Sequence, residues 1–224
     1  MKKKRKLNAH RSAALFSLLF LFVDCSHLPP VLSPPAVVER FEGYASLSLS
    51  GPEASSKTRL SFLFSIPQKG RMEGFDPLGR SLYQIVLEGE AGFFIIPSKK
   101  VYWQAGAEEI TAEFLGFSLT LQEMTALLTG EWTASSGWTL ARDGRGRVVA
   151  GEKRNIRFEI KDFLDGGSLP RVVLFKNDSL SGRLRILRIH FNQPFKSPPF
   201  DLSYLNRFES KTREEIEALL RHEN

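Results

Sequence analysis

Residues 40–51 read RFEGYASLSLSG and residues 59–66 read RLSFLFSI. In the first stretch Phe41, Gly43, Ala45, Leu47 and Leu49 share one face, and Glu42, Tyr44, Ser46, Ser48 and Ser50 share the other. In the second, Leu60, Phe62, Phe64 and Ile66 oppose Arg59, Ser61, Leu63 and Ser65. A period of two over such lengths is the signature of a half-buried strand. Aromatic and branched residues on the apolar face strengthen the reading. The fold class expected is mainly β and antiparallel.

The same pattern continues outward. Short strands are expected at 71–75, 80–88, 91–96 and 100–104, with Tyr83, Ile85 and Leu87 on one face of the second. Asp76-Pro77-Leu78-Gly79 has Asp, Pro and Gly where a type I turn wants them. The period then lengthens. Ile110 and Phe114 lie four apart in 107–115, and Gly116 stops the run. Thr120-Leu121-Gln122-Glu123 is a capping box, followed by Leu121, Met124, Leu127 and Leu128 on one helical face, with Gly130 ending it. Strands resume at 137–142, 147–152, 155–163, 170–176 and 183–192. Polar turns separate them, among them Asp143-Gly144-Arg145-Gly146 and Asp165-Gly166-Gly167. The expectation is about eleven strands with two central helices, and a weakly amphipathic helix near 211–222.

The N-terminus is of another kind. KKKRK at 2–6 precedes AALFSLLFLFV at 13–23, the basic and apolar regions of an export signal. Eleven helical residues span about 16 Å, about half a bilayer core, so a spanning helix is not expected. Residues 28–35, LPPVLSPP, favour an extended tether. The chain carries a net +6, but six basic residues and one acidic residue lie in 1–24, leaving 25 basic and 24 acidic residues beyond. The basicity belongs to the leader, so a nucleic-acid partner is not expected.

Catalytic constellations are missing from the sequence. It has no G-x-S-x-G, no H-E-x-x-H and no phosphate loop. His190 falls in a strand, and His27 and His222 fall near the ends. The single cysteine, Cys25, excludes an internal disulfide and a structural zinc site of two or more Cys. No enzyme, cofactor or metal is expected.

The leader ends Phe22-Val23-Asp24-Cys25, which resembles a bacterial lipobox, with Asp24 standing where that pattern has Gly, Ala or Ser. The resemblance implies a lipid-modified Cys25, and Ser26 after it favours the outer membrane. The body resembles the LolA/LolB fold, and the LolB branch more closely. The resemblance rests on the leader, the serine-rich and FLF strands, and the DPLG turn before LYQIVLEGEAGFFIIP. It rests also on ITAEFLGFSLTLQEMTALLTGEW and on the late LPRVVLF and LRILRIHF strands. It implies a curved half-barrel, an open antiparallel sheet whose concave apolar face is lidded by short helices and shelters acyl chains.

On that resemblance the chain divides into a signal peptide at 1–24, a Pro-rich tether at 25–37, the domain at 38–192 and a C-terminal extension at 193–224. The expected function is that of a lipid-anchored, monomeric protein on the periplasmic face of the outer membrane. It would accept acyl chains of lipoproteins from a LolA-like carrier and help insert them. Leu78 would be the membrane-contacting residue of its loop. Phe62, Phe64, Ile66, Tyr83, Ile85, Leu87, Phe94, Ile96 and Trp103, with Phe114, Met124 and Leu128 above them, are the candidate acyl-cavity lining. Residue by residue, filled core is the favoured reading, since alternation cannot tell an empty concave face from a filled one; only the resemblance turns these rows toward a cavity. A structural or assembly lipoprotein that holds a protein partner, with the extension contributing, is the second reading.

Overall fold

The computed structural model describes residues 34–52, 55–133, 137–164, 167–195 and 197–221. All belong to one compact unit spanning residues 32–224. The leader, Cys25, most of the tether, and parts of the turns at 51–56 and 165–167 lie outside the described residues.

Twelve strands form one sheet. They are β1 (Arg40–Ser50), β2 (Ser55–Ser65), β3 (Lys69–Phe75), β4 (Ser81–Glu88), β5 (Ala91–Ile96) and β6 (Val101–Gly106). After two helices come β7 (Thr139–Arg142), β8 (Val148–Lys153), β9 (Ile156–Phe163), β10 (Pro170–Lys176), β11 (Ser181–Phe191) and β12 (Glu209–Ser210). The order is β12-β6-β5-β4-β3-β2-β1-β11-β10-β9-β8-β7, so the sheet does not close on itself. Every pair is antiparallel except β12 on β6. Two meanders are thus joined at β1 and β11. The expected open half-barrel is what forms, with one strand more than anticipated.

The alternation at 40–66 is realised in burial. Phe41, Ala45, Leu47, Leu60, Phe62 and Phe64 all face the core and are buried. Their inner face is covered by α1 (Ala107–Leu115) and α2 (Leu121–Thr129). Helix α1 packs on β4, β5 and β6, and α2 on β10. Gly92 permits the first contact, since a Cβ there would sit 2.8 Å from Ile110 Cγ1 and 3.1 Å from Ala107 Cα. The capping box forms as expected. Thr120 Oγ1 accepts from the Glu123 amide, and the Glu123 carboxylate accepts from the Thr120 amide.

The extension passes round one edge of the sheet. Phe200, Leu202, Leu205 and Phe208 pack on the outer face against Val86 and Ile95. The Arg71 guanidinium donates to the Pro199 carbonyl, and the Tyr204 hydroxyl donates to Gln84. The Glu209 amide then donates to Lys100 and the Lys211 amide to Tyr102, which makes β12. Finally α3 (Arg213–Arg221) inserts Ile216, 1% exposed, into the main core. Arg213 on α3 pairs with Glu113 on α1 at 2.5 Å. The otherwise open edge of β6 is thereby closed over part of its length, as edge strands generally need.

Ile216→Ala should therefore lower the unfolding free energy by about 2–4 kcal/mol, the range for a buried aliphatic residue. Urea denaturation measures this. A loss under about 0.5 kcal/mol, typical of surface sites, would mean that the helix does not belong to the core.

Candidate functional site

An apolar hollow lies between the sheet and α2. It is a cavity of about 70 Å³, and every lining side chain is apolar. Ala45, Leu47, Leu60, Phe62 and Met72 form its floor, and Leu119, Met124, Leu127 and Leu128 its roof. Trp138, Ile156, Phe158, Phe175 and Leu184 close it toward β8–β11. Pockets that hold small molecules are typically about 300–1,000 Å³. In this state the lid lies down on the sheet.

Of the twelve expected lining residues, Phe62, Met124 and Leu128 meet at this cavity. Phe64, Ile85, Leu87, Phe94 and Ile96 are almost wholly buried, at 0–1% exposure, and Trp103 is buried as well. Phe114 of α1 stacks face to face on Phe94, and Tyr83 stacks on the same ring. Ile66 is half-buried at the margin of this packing. These residues form filled core, with Phe94 directly beneath Phe114 of α1. The β1, β9, β10 and β11 side of the cavity was missed in the sequence. Its signal was there, in the alternating Ile156, Phe158 and Ile160, but nothing local set that row apart from any other strand.

A broad open groove of about 1120 Å³ runs across β7–β11 and the adjoining ends of β1 and β2. Phe158 and Phe175 line both this groove and the apolar cavity. The two rings therefore stand between solvent and the apolar interior. Trp132 stacks on Phe158 at 4.8 Å, and Trp138 meets the same ring edge-on at 5.2 Å. The Trp132 indole N–H is buried with no partner among the described residues.

One polar contact holds the lid at this side. Glu123, 3% exposed, accepts from Trp138 Nε1 at 2.6 Å and pairs with Lys153 Nζ of β8 at 2.5 Å. Burial pushes its carboxyl up. Lys153, the Thr120 amide and the Trp138 indole outweigh that effect and hold it below the ordinary value of 4.5. A buried carboxylate needs such partners. The pair ties α2 to a strand 30 residues away in sequence.

The turn at 76–79 is rigid. Asp76 Oδ1 accepts from the Leu78 and Arg80 amides at 2.8 and 2.9 Å, and Oδ2 accepts from Arg80 Nε at 2.6 Å. Gly79 takes φ +82, a conformation that favours glycine. These bonds, with Arg80 beside the carboxylate, hold Asp76 below the usual carboxylate range. Leu78 is left 80% exposed at the tip. The hairpin at Asp143–Arg147 is built in the same way, with Gly146 at φ +78 and the Asp143 carboxylate gripping Arg145 and Arg147. That tip presents arginine, so the apolar tip at 78 is not a requirement of the turn.

Residues 39–191 match the sequence profile of the family described as outer membrane lipoprotein LolB. The chain belongs to that family. No curated protein matches it in sequence. Among solved structures it is similar to a LolA-superfamily protein from Nitrosomonas europaea, at 12% identity and a TM-score of 0.51, covering 74% of this chain and 90% of that one. It is similar also to a putative outer membrane lipoprotein-sorting protein domain from Vibrio parahaemolyticus, at 14% identity and TM-score 0.52, covering 75% and 92%. A DUF1329 family protein from Desulfovibrio piger has the same fold at 7% identity and TM-score 0.53, covering 76% and 92%. Among the described residues no helix is long and apolar enough to cross a membrane, and no group of His, Cys, Asp and Glu could hold a metal ion.

Lys153→Met should destabilise the fold by about 3 kcal/mol, near the low end for breaking a buried pair because the lysine keeps some solvent. Adding Glu123→Gln should restore part of the loss. Urea denaturation of the three variants checks this, and a Lys153→Met loss under about 1 kcal/mol would mark the pair as no better than a surface one. Since the Glu123 value is depressed, its contribution is complete above the ordinary glutamate value. It fades as pH falls through the lowered one, so the difference between parent and Glu123→Gln should shrink in acid.

Proposed function

We propose that the chain is an outer-membrane lipoprotein, anchored through lipid on Cys25, which binds acyl chains of other lipoproteins beneath α2 and helps insert them in the membrane. The observation that carries this reading is the all-apolar cavity of about 70 Å³ roofed by a helix that one ion pair ties down. Membership of the LolB family supports it. In this reading residues 1–24 are the export signal, 25–37 the tether and 193–224 an added segment that braces β6 and α1. The protein acts as a monomer on the periplasmic face, and a LolA-like carrier delivers the cargo. It has no chemistry to perform.

The energetics suit exchange. The cavity is too small for an acyl chain while the lid lies down, so entry must lift α2. Burying roughly fifteen methylenes returns about 12 kcal/mol, at about 0.8 each. That exceeds the roughly 3 kcal/mol of the Glu123–Lys153 tie. The empty protein thus stays closed, and a lipid chain opens it. The groove is the entrance, and Phe158 and Phe175 are the rings that a chain must displace. Release follows when the bilayer offers a better apolar sink. Leu78 brings the protein to that sink, since burial of a leucine gains about 1.5–3 kcal/mol that solvent exposure forgoes.

A soluble chain starting at residue 26 should bind an acyl-chain fluorescent probe saturably and lose it to an acylated lipoprotein. Leu128→Arg should weaken the binding at least tenfold, because it sets a charge in the roof. An absence of saturable binding would contradict the reading. Leu78→Glu should leave probe binding intact and slow cargo insertion into vesicles several-fold. Insertion at the parental rate would remove the loop from the account.

A further inference from the structure

Four cations stand on the outer face of the sheet in a regular pattern. The strands β2, β1 and β11 are neighbours. Their registers place Arg59 opposite Ser46, and Ser46 opposite Arg185. Two residues further along, Lys57 lies opposite Ser48, and Ser48 opposite Arg183. Each row runs cation, hydroxyl, cation. The cations of a row are two strands apart, roughly 10 Å, and the rows are about 7 Å apart along the strands. All four are exposed, and none has an ion-pair or hydrogen-bond partner among the described residues. The interposed serines avoid direct opposition of like charges, which would destabilise the sheet.

The rows line a hollow of about 540 Å³ whose wall includes Phe75, Asp76 and Pro77, the base of the turn that carries Leu78. The Asp76 carboxylate in that wall is engaged by Arg80 and by backbone amides. Leu187, 54% exposed, lines the same hollow. Beyond residue 24 the chain is nearly balanced in charge, with 25 basic and 24 acidic residues, so the cluster is an asymmetry and not a reflection of composition.

We infer that this face docks on the phosphate-bearing headgroups of an anionic lipid bilayer, with Leu78 and Leu187 entering the apolar layer beside them. The inference deepens the membrane reading given above and rests on it. Guanidinium groups bind phosphate through paired hydrogen bonds, and a serine hydroxyl between two cations adds a donor. One such cradle would suit a single anion. Two cradles of the same pattern side by side, one Arg–Ser–Arg and one Lys–Ser–Arg, match a plane of repeated anions. Each Lys or Arg near an anionic surface strengthens binding about fivefold, an effect that salt screens within about 8 Å.

The test uses the mature, lipid-anchored chain in vesicles of phosphatidylcholine alone and of phosphatidylcholine mixed with phosphatidylglycerol. An arginine-selective dicarbonyl reagent is applied and read by peptide mass spectrometry. Arg59, Arg183 and Arg185 should react several-fold more slowly on the anionic vesicles, and high salt should abolish the difference. Arg145, on the other hairpin, should react equally on both. Arg59→Ser with Arg185→Ser should weaken the docking equilibrium, read as Arg183 protection, by about 30-fold at low salt. The double variant should bind the acyl probe like the parent. Equal reactivity on the two vesicles would overturn the inference. So would the same protection from inorganic phosphate, or protection that appears only with an acidic carrier protein. Loss of probe binding by the parent itself, with the footprint intact, would sink the acyl reading and leave this one standing.

Discussion

The ladder between β1 and β11 is the contact on which the rest of the structure depends. It pairs Phe41 with Phe191 and Ser50 with Ser181, segments about as far apart in sequence as the fold allows. Without it the chain would hold two separate meanders, each with an apolar face to cover. With it they share one inner face, and the two helices between them cover that face together. The slow step implied is loop closure over most of the domain. The ladder also aligns residues on the outer face, where the rows Arg59–Ser46–Arg185 and Lys57–Ser48–Arg183 exist only because three strands hold that register.

An open sheet of this kind has two demands, a cover for the inner face and protection for the edges. The halves answer them differently. On the α1 side Phe94, Ile85 and Ile96 are fully buried, and Phe114 stacks on Phe94. The extension braces this side from without, through Leu205, β12, Ile216 and the Arg213–Glu113 pair. Under α2 the packing leaves a cavity, and the helix is tied at Glu123 to Lys153. The proposed acyl-chain exchange calls for this division, since a site that opens must do so without the sheet coming apart.

Much of this was legible in single strands. Alternation at 40–66 gave the inward residues, and Thr120 with Glu123 gave the start of α2. Asp76-Pro77-Leu78-Gly79 gave a turn with leucine at its tip. What local pattern could not separate was Phe62 from Phe64. Both face inward two residues apart on β2, yet one lines the cavity and the other is sealed core. The difference is a matter of tertiary packing: Phe64 stacks on Phe41 and lies beside Leu121, while Phe62 faces the gap under Met124 and Leu128. The outer-face cover had a sequence signal that alternation masks, the unbroken apolar runs at 85–87 and 93–96, which call for burial on both faces. Strand β12 had none, because two residues become a strand only when an edge offers them partners. The Glu123–Lys153 tie and the cation rows likewise join residues that the sequence keeps apart.

On the proposed function, α2 lifts from the sheet to admit an acyl chain. Beyond Met1, the two methionines, Met72 on the floor and Met124 on the roof, both line the cavity. A carbon-13 methyl-methionine NMR spectrum of the chain starting at residue 26 therefore holds two signals, each reporting from the site. Titration with an acylated lipoprotein is expected to shift both, in slow or intermediate exchange, while the non-acylated form of the same lipoprotein shifts neither. Two signals that stay in place under saturating acylated cargo would contradict the account.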